Sequence, residues 1–76
     1  MKKANIMLKT IEDIKNFVNI VSKYDSDIDL ASGRYVVDAK SIMGIFSLDL
    51  VKPIELTVCN DSEADTILKE LSPFIV

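Results

Sequence analysis

Ser41 is the side chain whose chemistry stands out, in the stretch Ala39 to Leu50, AKSIMGIFSLDL. A serine hydroxyl can take a phosphoryl group, or it can cap a helix by accepting from the free backbone N–H groups of a first turn. Ile42, Met43, Ile45, Phe46 and Leu48 follow closely behind it. One short helix cannot bury all of these on a single side, so Met43 and Phe46 are expected to face outward. A lidding helix with a capping serine is the commoner arrangement. A regulatory serine set in an apolar docking patch is the alternative.

Other chemistry is scarce. The chain has no histidine and one cysteine, Cys59, so no metal-ligand spacing and no internal disulfide is available. Cys59 falls in an apolar strand-like run, which predicts a buried, inert thiol. The only glycines, Gly33 and Gly44, sit in no phosphate-binding loop. Acidic residues fall on predicted helix starts and solvent faces. Neither catalysis nor a cofactor is expected.

The 76 residues suit a single domain, 1–76, and 49% of them are hydrophobic, an ordinary globular composition. A net charge of −3 argues against nucleic acid or anionic lipid as partner. Met1-Lys2-Lys3 is followed by no apolar run of signal length, and nothing is long enough to span a membrane, so a cytoplasmic protein is expected.

The elements that position Ser41 follow from periodicity. Ala4, Ile6 and Leu8 alternate, predicting a strand over 3–8. Thr10 and Asp13 read as a capping box, and Ile11, Ile14, Phe17, Val18, Val21 and Tyr24 make a helical stripe over 11–24. Ile28 and Leu30 alternate with Asp27 and Asp29; Ser32-Gly33 supplies a turn, and Tyr35 to Ala39 a returning strand that feeds Ser41. After the break at Lys52-Pro53, Ile54, Leu56 and Val58 alternate with Glu55, Thr57 and Cys59. Asn60-Asp61-Ser62 caps a last helix whose inner face is Ala64, Ile67, Leu68 and Leu71, stopped by Pro73. The order β-α-β-β-α-β-α implies an α+β sandwich with helices gathered on one face of an antiparallel sheet.

The run KSIMGIFSLDL, preceded by SKYDSDIDL at 22–30, resembles HPr, the small phosphocarrier family of the bacterial sugar phosphotransferase system. That resemblance implies a specific topology, an open-faced sandwich with strand order 1-4-2-3 and three helices on one face. The family carries phosphate on the histidine of a Gly-(Ile/Leu)-His-Ala-Arg-Pro loop before its first helix. Here Thr10 stands where that histidine would be, Glu12 at the arginine and Asp13 at the proline, in a connection shortened by about three residues. Two carboxylates there repel an arriving phosphoryl group. Relay through histidine is excluded by composition.

The resemblance also implies that Ser41 matches the serine phosphorylated by a dedicated kinase in many Gram-positive members. Lys40, Ile42, Met43 and Gly44 match around it, and Met43 and Phe46 fall on the family's apolar contact surface. Phe46 replaces a usual Met and Asp49 a usual Gly. The expectation is an HPr-like, non-catalytic regulatory or binding protein. Ser41 would be its phosphorylation site, and Lys40, Ile42, Met43 and Phe46 its contact surface for a serine kinase and phosphotransferase-system or regulatory proteins. The alternatives are a divergent paralogue with an unrelated partner and no phosphorylation or, third, a phosphocarrier.

Overall fold

The computed structural model describes residues 1–76. Its sheet has four strands: β1 (Lys2–Ile6), β2 (Ile28–Ser32), β3 (Tyr35–Asp38) and β4 (Ile54–Val58), in the order β1-β4-β2-β3. Every neighbouring pair is antiparallel. Three helices connect them: α1 (Ile11–Val21), α2 (Ile42–Phe46) and α3 (Asp61–Glu70), followed by a 3-10 turn at Ser72–Phe74. Periodicity gave the elements; the resemblance gave the strand order, and both hold.

The alternation in the strands decides which face is covered. Ile28, Leu30, Ile54, Leu56 and Val58 are buried, and they meet Ile14, Phe17, Val21, Ile45, Ala64 and Ile67 from the helices. Each of these side chains larger than alanine contributes about 1.5–3 kcal/mol by leaving water. Phe17 sits at the centre, with the Phe74 ring edge-on at 6.1 Å. The hairpin between β2 and β3 closes on two residues, with Gly33 at φ 60° and no other residue in the left-handed region. That is the glycine-first turn whose twist matches antiparallel strands.

Boundaries differ from the sequence reading in ways that have causes. β1 ends at Ile6 instead of Leu8, because the chain turns early towards Thr10; Leu8 is still buried. α1 stops at Val21, not Tyr24. The N–H groups of Lys23 and Tyr24 bond back to the carbonyls of Ile20 and Val21, a tightened three-residue pattern that unwinds the helix. Tyr24 still packs on the core, its hydroxyl donating to Glu70. Ile11 was placed on the inner stripe and is 61% exposed, because the first helical position projects beyond the edge of the core.

Cys59 is the clearest correction. It was expected buried and is exposed. β4 ends at Val58, and residue 59 has the same outward parity as Glu55 and Thr57. The apolar run around it misled, because only alternate residues of that run face the core. Pro73 does not stop α3 directly either: Leu71 caps it, and Pro73 opens the 3-10 turn.

The last residues add a contribution that the pattern did not predict. The Met7 N–H donates to the Phe74 carbonyl at 2.8 Å, the Val76 N–H donates to the Asn5 carbonyl at 3.0 Å, and Ile75 bridges to Ile6. The outer edge of β1 is thereby covered at its Asn5–Ile6 end.

Candidate functional site

Ser41 lies half-buried between β3 and α2, with extended backbone angles of φ −99° and ψ 104°. Its Oγ accepts from the Gly44 N–H at 3.2 Å, and its own N–H donates to the Asp38 carbonyl at 3.0 Å. Asp38 Oδ1 also accepts from the Lys40 N–H at 2.9 Å, which fixes the turn that delivers Ser41 to the helix. Gly44 permits a close approach. A Cβ there would lie 3.2 Å from Ser41 Oγ and 3.3 Å from Val37 Cβ. The glycine of the KSIMG run therefore lets α2 lie on β3 with the serine beneath it.

The four residues placed around Ser41 as a contact surface separate into two kinds. Met43 and Phe46 are exposed, at 75% and 43%, and the three-residue spacing puts them on one helix face. Ile42 turns inward and packs against the core, next to buried Ile45. Lys40 is half-buried, and its ammonium donates to the Tyr24 carbonyl at 2.6 Å, just beyond the end of α1. It ties two connections together rather than standing free.

At the other candidate position, Thr10 caps α1. Its Oγ1 accepts from the Asp13 N–H at 3.0 Å. Asp13 Oδ2 reaches back to the Lys9 N–H, also at 3.0 Å, one residue before the N-cap N–H that a full capping box engages. Glu12 is exposed. Two first-turn acids face the positive end of this helix, where they are favourable. Asp61 and Glu63 do the same at α3, with Asn60 Oδ1 accepting from the Ser62 N–H at 3.0 Å. α2 has no acid in its first turn.

The sequence reading missed a groove. Met7, Leu8, Lys9, Thr10, Ile11, Leu50 and Val51 line a cleft of about 450 Å³ at the start of α1. Val51 is 84% exposed at its rim. Leu50 and Val51 bring the connection after α2 into this cleft. The signal was present in two apolar residues, Ile11 and Val51, at positions where no element can bury them.

The shifted titrations lie away from Ser41. Glu70 accepts from Lys23 Nζ at 2.7 Å and from the Tyr24 hydroxyl. Lys23 chiefly, then Tyr24, hold the Glu70 carboxyl below its ordinary value of 4.5. The same hydrogen bond to Glu70, then burial, pushes the Tyr24 phenol above 10.0. This network ties the end of α1 to the end of α3. No helix is long and apolar enough to cross a membrane.

Residues 13–76 match the family model described as the HPr component phosphorylation site of the phosphotransferase system. Among solved structures, the chain is similar to HPr of Thermoanaerobacter tengcongensis at 32% identity. There 93% of this chain and 90% of that one are covered, with a TM-score of 0.76. HPr of Bacillus anthracis is 28% identical over 99% of this chain and 94% of that one, with a TM-score of 0.74. The catabolite repression protein Crh of Bacillus subtilis, a domain-swapped intertwined dimer, is 25% identical over 88% and 78%, with a TM-score of 0.68.

Proposed function

The chain belongs to the HPr family, and from that premise we propose that it is a non-catalytic regulatory or binding member that acts through Ser41 and the apolar surface beside it. The observation that carries this reading is the pairing of a bare helix start at Ser41 with exposed Met43 and Phe46 on the same short helix. A phosphate on Ser41 would meet the unpaired N–H groups of the first turn, with no carboxylate of that turn to oppose it. Outward Met43 and Phe46 add little to the core, so their apolar character suits contact with a protein partner. In this reading Lys40 and Ile42 support that surface from beneath.

Phosphoryl relay is assigned no role here. The sequence has no histidine, and the hydroxyl of Thr10 is committed to the Asp13 N–H. Glu12 and Asp13 bring negative charge where a phosphoryl group would arrive. Incubation with phosphoenolpyruvate and the general enzyme of the sugar system is expected to leave the intact mass unchanged. An adduct above background would refute this part.

The regulatory reading is tested with an HPr serine kinase and ATP on wild type, Ser41→Ala and Phe46→Ala. Wild type should gain one phosphate, Ser41→Ala none, and Phe46→Ala should react more slowly. If wild type stays unmodified under conditions that fully label an authentic HPr, Ser41 is a helix cap only. The chain is then a divergent paralogue whose partner reads something else.

A further inference from the structure

The two edges of the sheet are treated differently. At β1 the chain's own last residues cover the edge, through Met7 to Phe74, Asn5 to Val76 and the bridge of Ile6 to Ile75. At β3 no segment lies alongside the strand, and of its outward groups only the Asp38 carbonyl is taken, by the Ser41 N–H at 3.0 Å. Native sheets blunt an open edge with proline, lysine or a bulge, or by keeping it short and charged, and β3 has only its four-residue length and Asp38 of these. Tyr35, Val36 and Val37 carry no proline, lysine or bulge.

The hydrogen-bonding parity of β3 is fixed by the hairpin. Ser32 pairs with Tyr35 and Leu30 with Val37, and the Ala39 N–H donates to the Ile28 carbonyl at 2.9 Å. Residues 35, 37 and 39 therefore direct their backbone groups to β2, and Val36 and Asp38 direct theirs outward, with Arg34 in the turn just before the strand. Val36 and Tyr35 are exposed at 66% and 71%. Arg34 and Asp38 are exposed as well, and neither joins an ion pair within the chain.

We propose that β3 pairs antiparallel with β3 of a second copy of this chain, about a two-fold axis through Val36. Val36 then opposes Val36 of the other copy, and their N–H and carbonyl groups exchange two hydrogen bonds. Arg34, in the turn before each strand, then lies beside Asp38 of the other copy. The strand is complementary to itself in charge, which is what an isologous contact requires. On the other face, Tyr35 opposes Val37 in the closer, non-hydrogen-bonded pairing, an aromatic against a β-branched side chain. A contact of this length is small, so the dimer is a weak one, with a dissociation constant on the order of 0.1–1 mM. It does not depend on Ser41 being modified.

The test uses the full chain and two single charge changes. Arg34→Glu makes both contacts of a homodimer acidic; Asp38→Arg makes both basic. Each variant alone should lose self-association by more than about tenfold in sedimentation equilibrium. Mixed together, the two variants meet with opposite charges at both contacts, and association should return to near the wild-type level. Recovery in the mixture also shows that both variants are folded. Should Asp38→Arg fail to fold, Val36→Pro, which removes a central donor, must abolish dimerisation while circular dichroism stays native. A chain that is monomeric up to about 1 mM overturns the proposal. So does a dimer that neither charge change weakens, or a mixture that fails to recover.

Discussion

Replacing Gly44 by alanine sets two calculable effects against each other. Alanine is favoured over glycine in a helix by about 0.8–1.0 kcal/mol. The structure supplies the opposing side: the added Cβ would lie 3.2 Å from Ser41 Oγ and 3.3 Å from Val37 Cβ. Val37 Cβ is fixed to a paired strand and cannot swing aside. Ser41 Oγ can rotate, but only by giving up its bond to the Gly44 N–H, a cap whose loss costs about 1 kcal/mol. Shifting α2 off β3 instead adds an overpacking cost of about 1–3 kcal/mol. Crowding offsets or outweighs propensity, so Gly44→Ala should destabilise by up to about 2 kcal/mol, lowering the melting midpoint by up to several degrees. Urea denaturation of wild type, Gly44→Ala, Ser41→Ala and the double variant separates the terms. Removing Ser41 Oγ relieves one of the two close contacts, so the double variant should lose less than the two single losses added. A Gly44→Ala chain more stable than wild type would refute the close approach of α2 to β3 on which the Ser41 geometry rests.

Two further predictions concern the helix ends. Thr10→Ala removes the acceptor of the Asp13 N–H and should cost about 1 kcal/mol in urea unfolding, with Thr10→Ser largely restoring it. At the other end of α1, Glu70 is held below 4.5, so it contributes stability that is present above that pH and is lost as acid protonates the folded carboxyl. Tyr24 is held above 10.0, so its contribution is present below that pH and is lost in stronger base. Lys23→Met should therefore flatten the acid side of the stability profile and Tyr24→Phe both sides. An unchanged profile in urea midpoints between pH 3 and pH 7 would show that the Glu70 network does not form.

The fold was legible where apolar spacing met a cap or a turn. Ile28 and Leu30, Ile54 to Val58, and Ile14, Phe17 and Val21 all face the core as their periods require. Thr10, Ser41 and Asn60 cap the helices assigned to them. The failures are long-range. Nothing local to Tyr24 says that its hydroxyl will find Glu70, so the helix seemed free to continue to it. Lys40 reads as part of the contact surface in the sequence because its acceptor, the Tyr24 carbonyl, lies 16 positions away. Cys59 shows how a correct strand can still yield a wrong burial, since its alternation with Val58 already placed it outward. At the candidate site, outward Met43 and Phe46 were legible from crowding on a five-residue helix. The groove was not, because it forms between Ile11 and Val51, which are far apart in the chain.

The three helix starts explain how this chain can resemble a phosphocarrier at one place and depart from it at another. A helix N-terminus offers free N–H groups and a positive field, and it can serve either its own acids or an incoming anion. In α1 that capacity is used internally: Thr10 takes the Asp13 N–H, and Glu12 and Asp13 supply the negative charge. In α3 it is used the same way, by Asn60, Asp61 and Glu63. α2 takes only the Ser41 hydroxyl, a neutral acceptor with a site for esterification on the same atom. Phosphorylation there would supply the charge that the other two helix starts already carry, in up to about 1 kcal/mol of helix-end stabilisation. The change would fall beside Met43 and Phe46. A partner reading that face would then respond to charge at its edge.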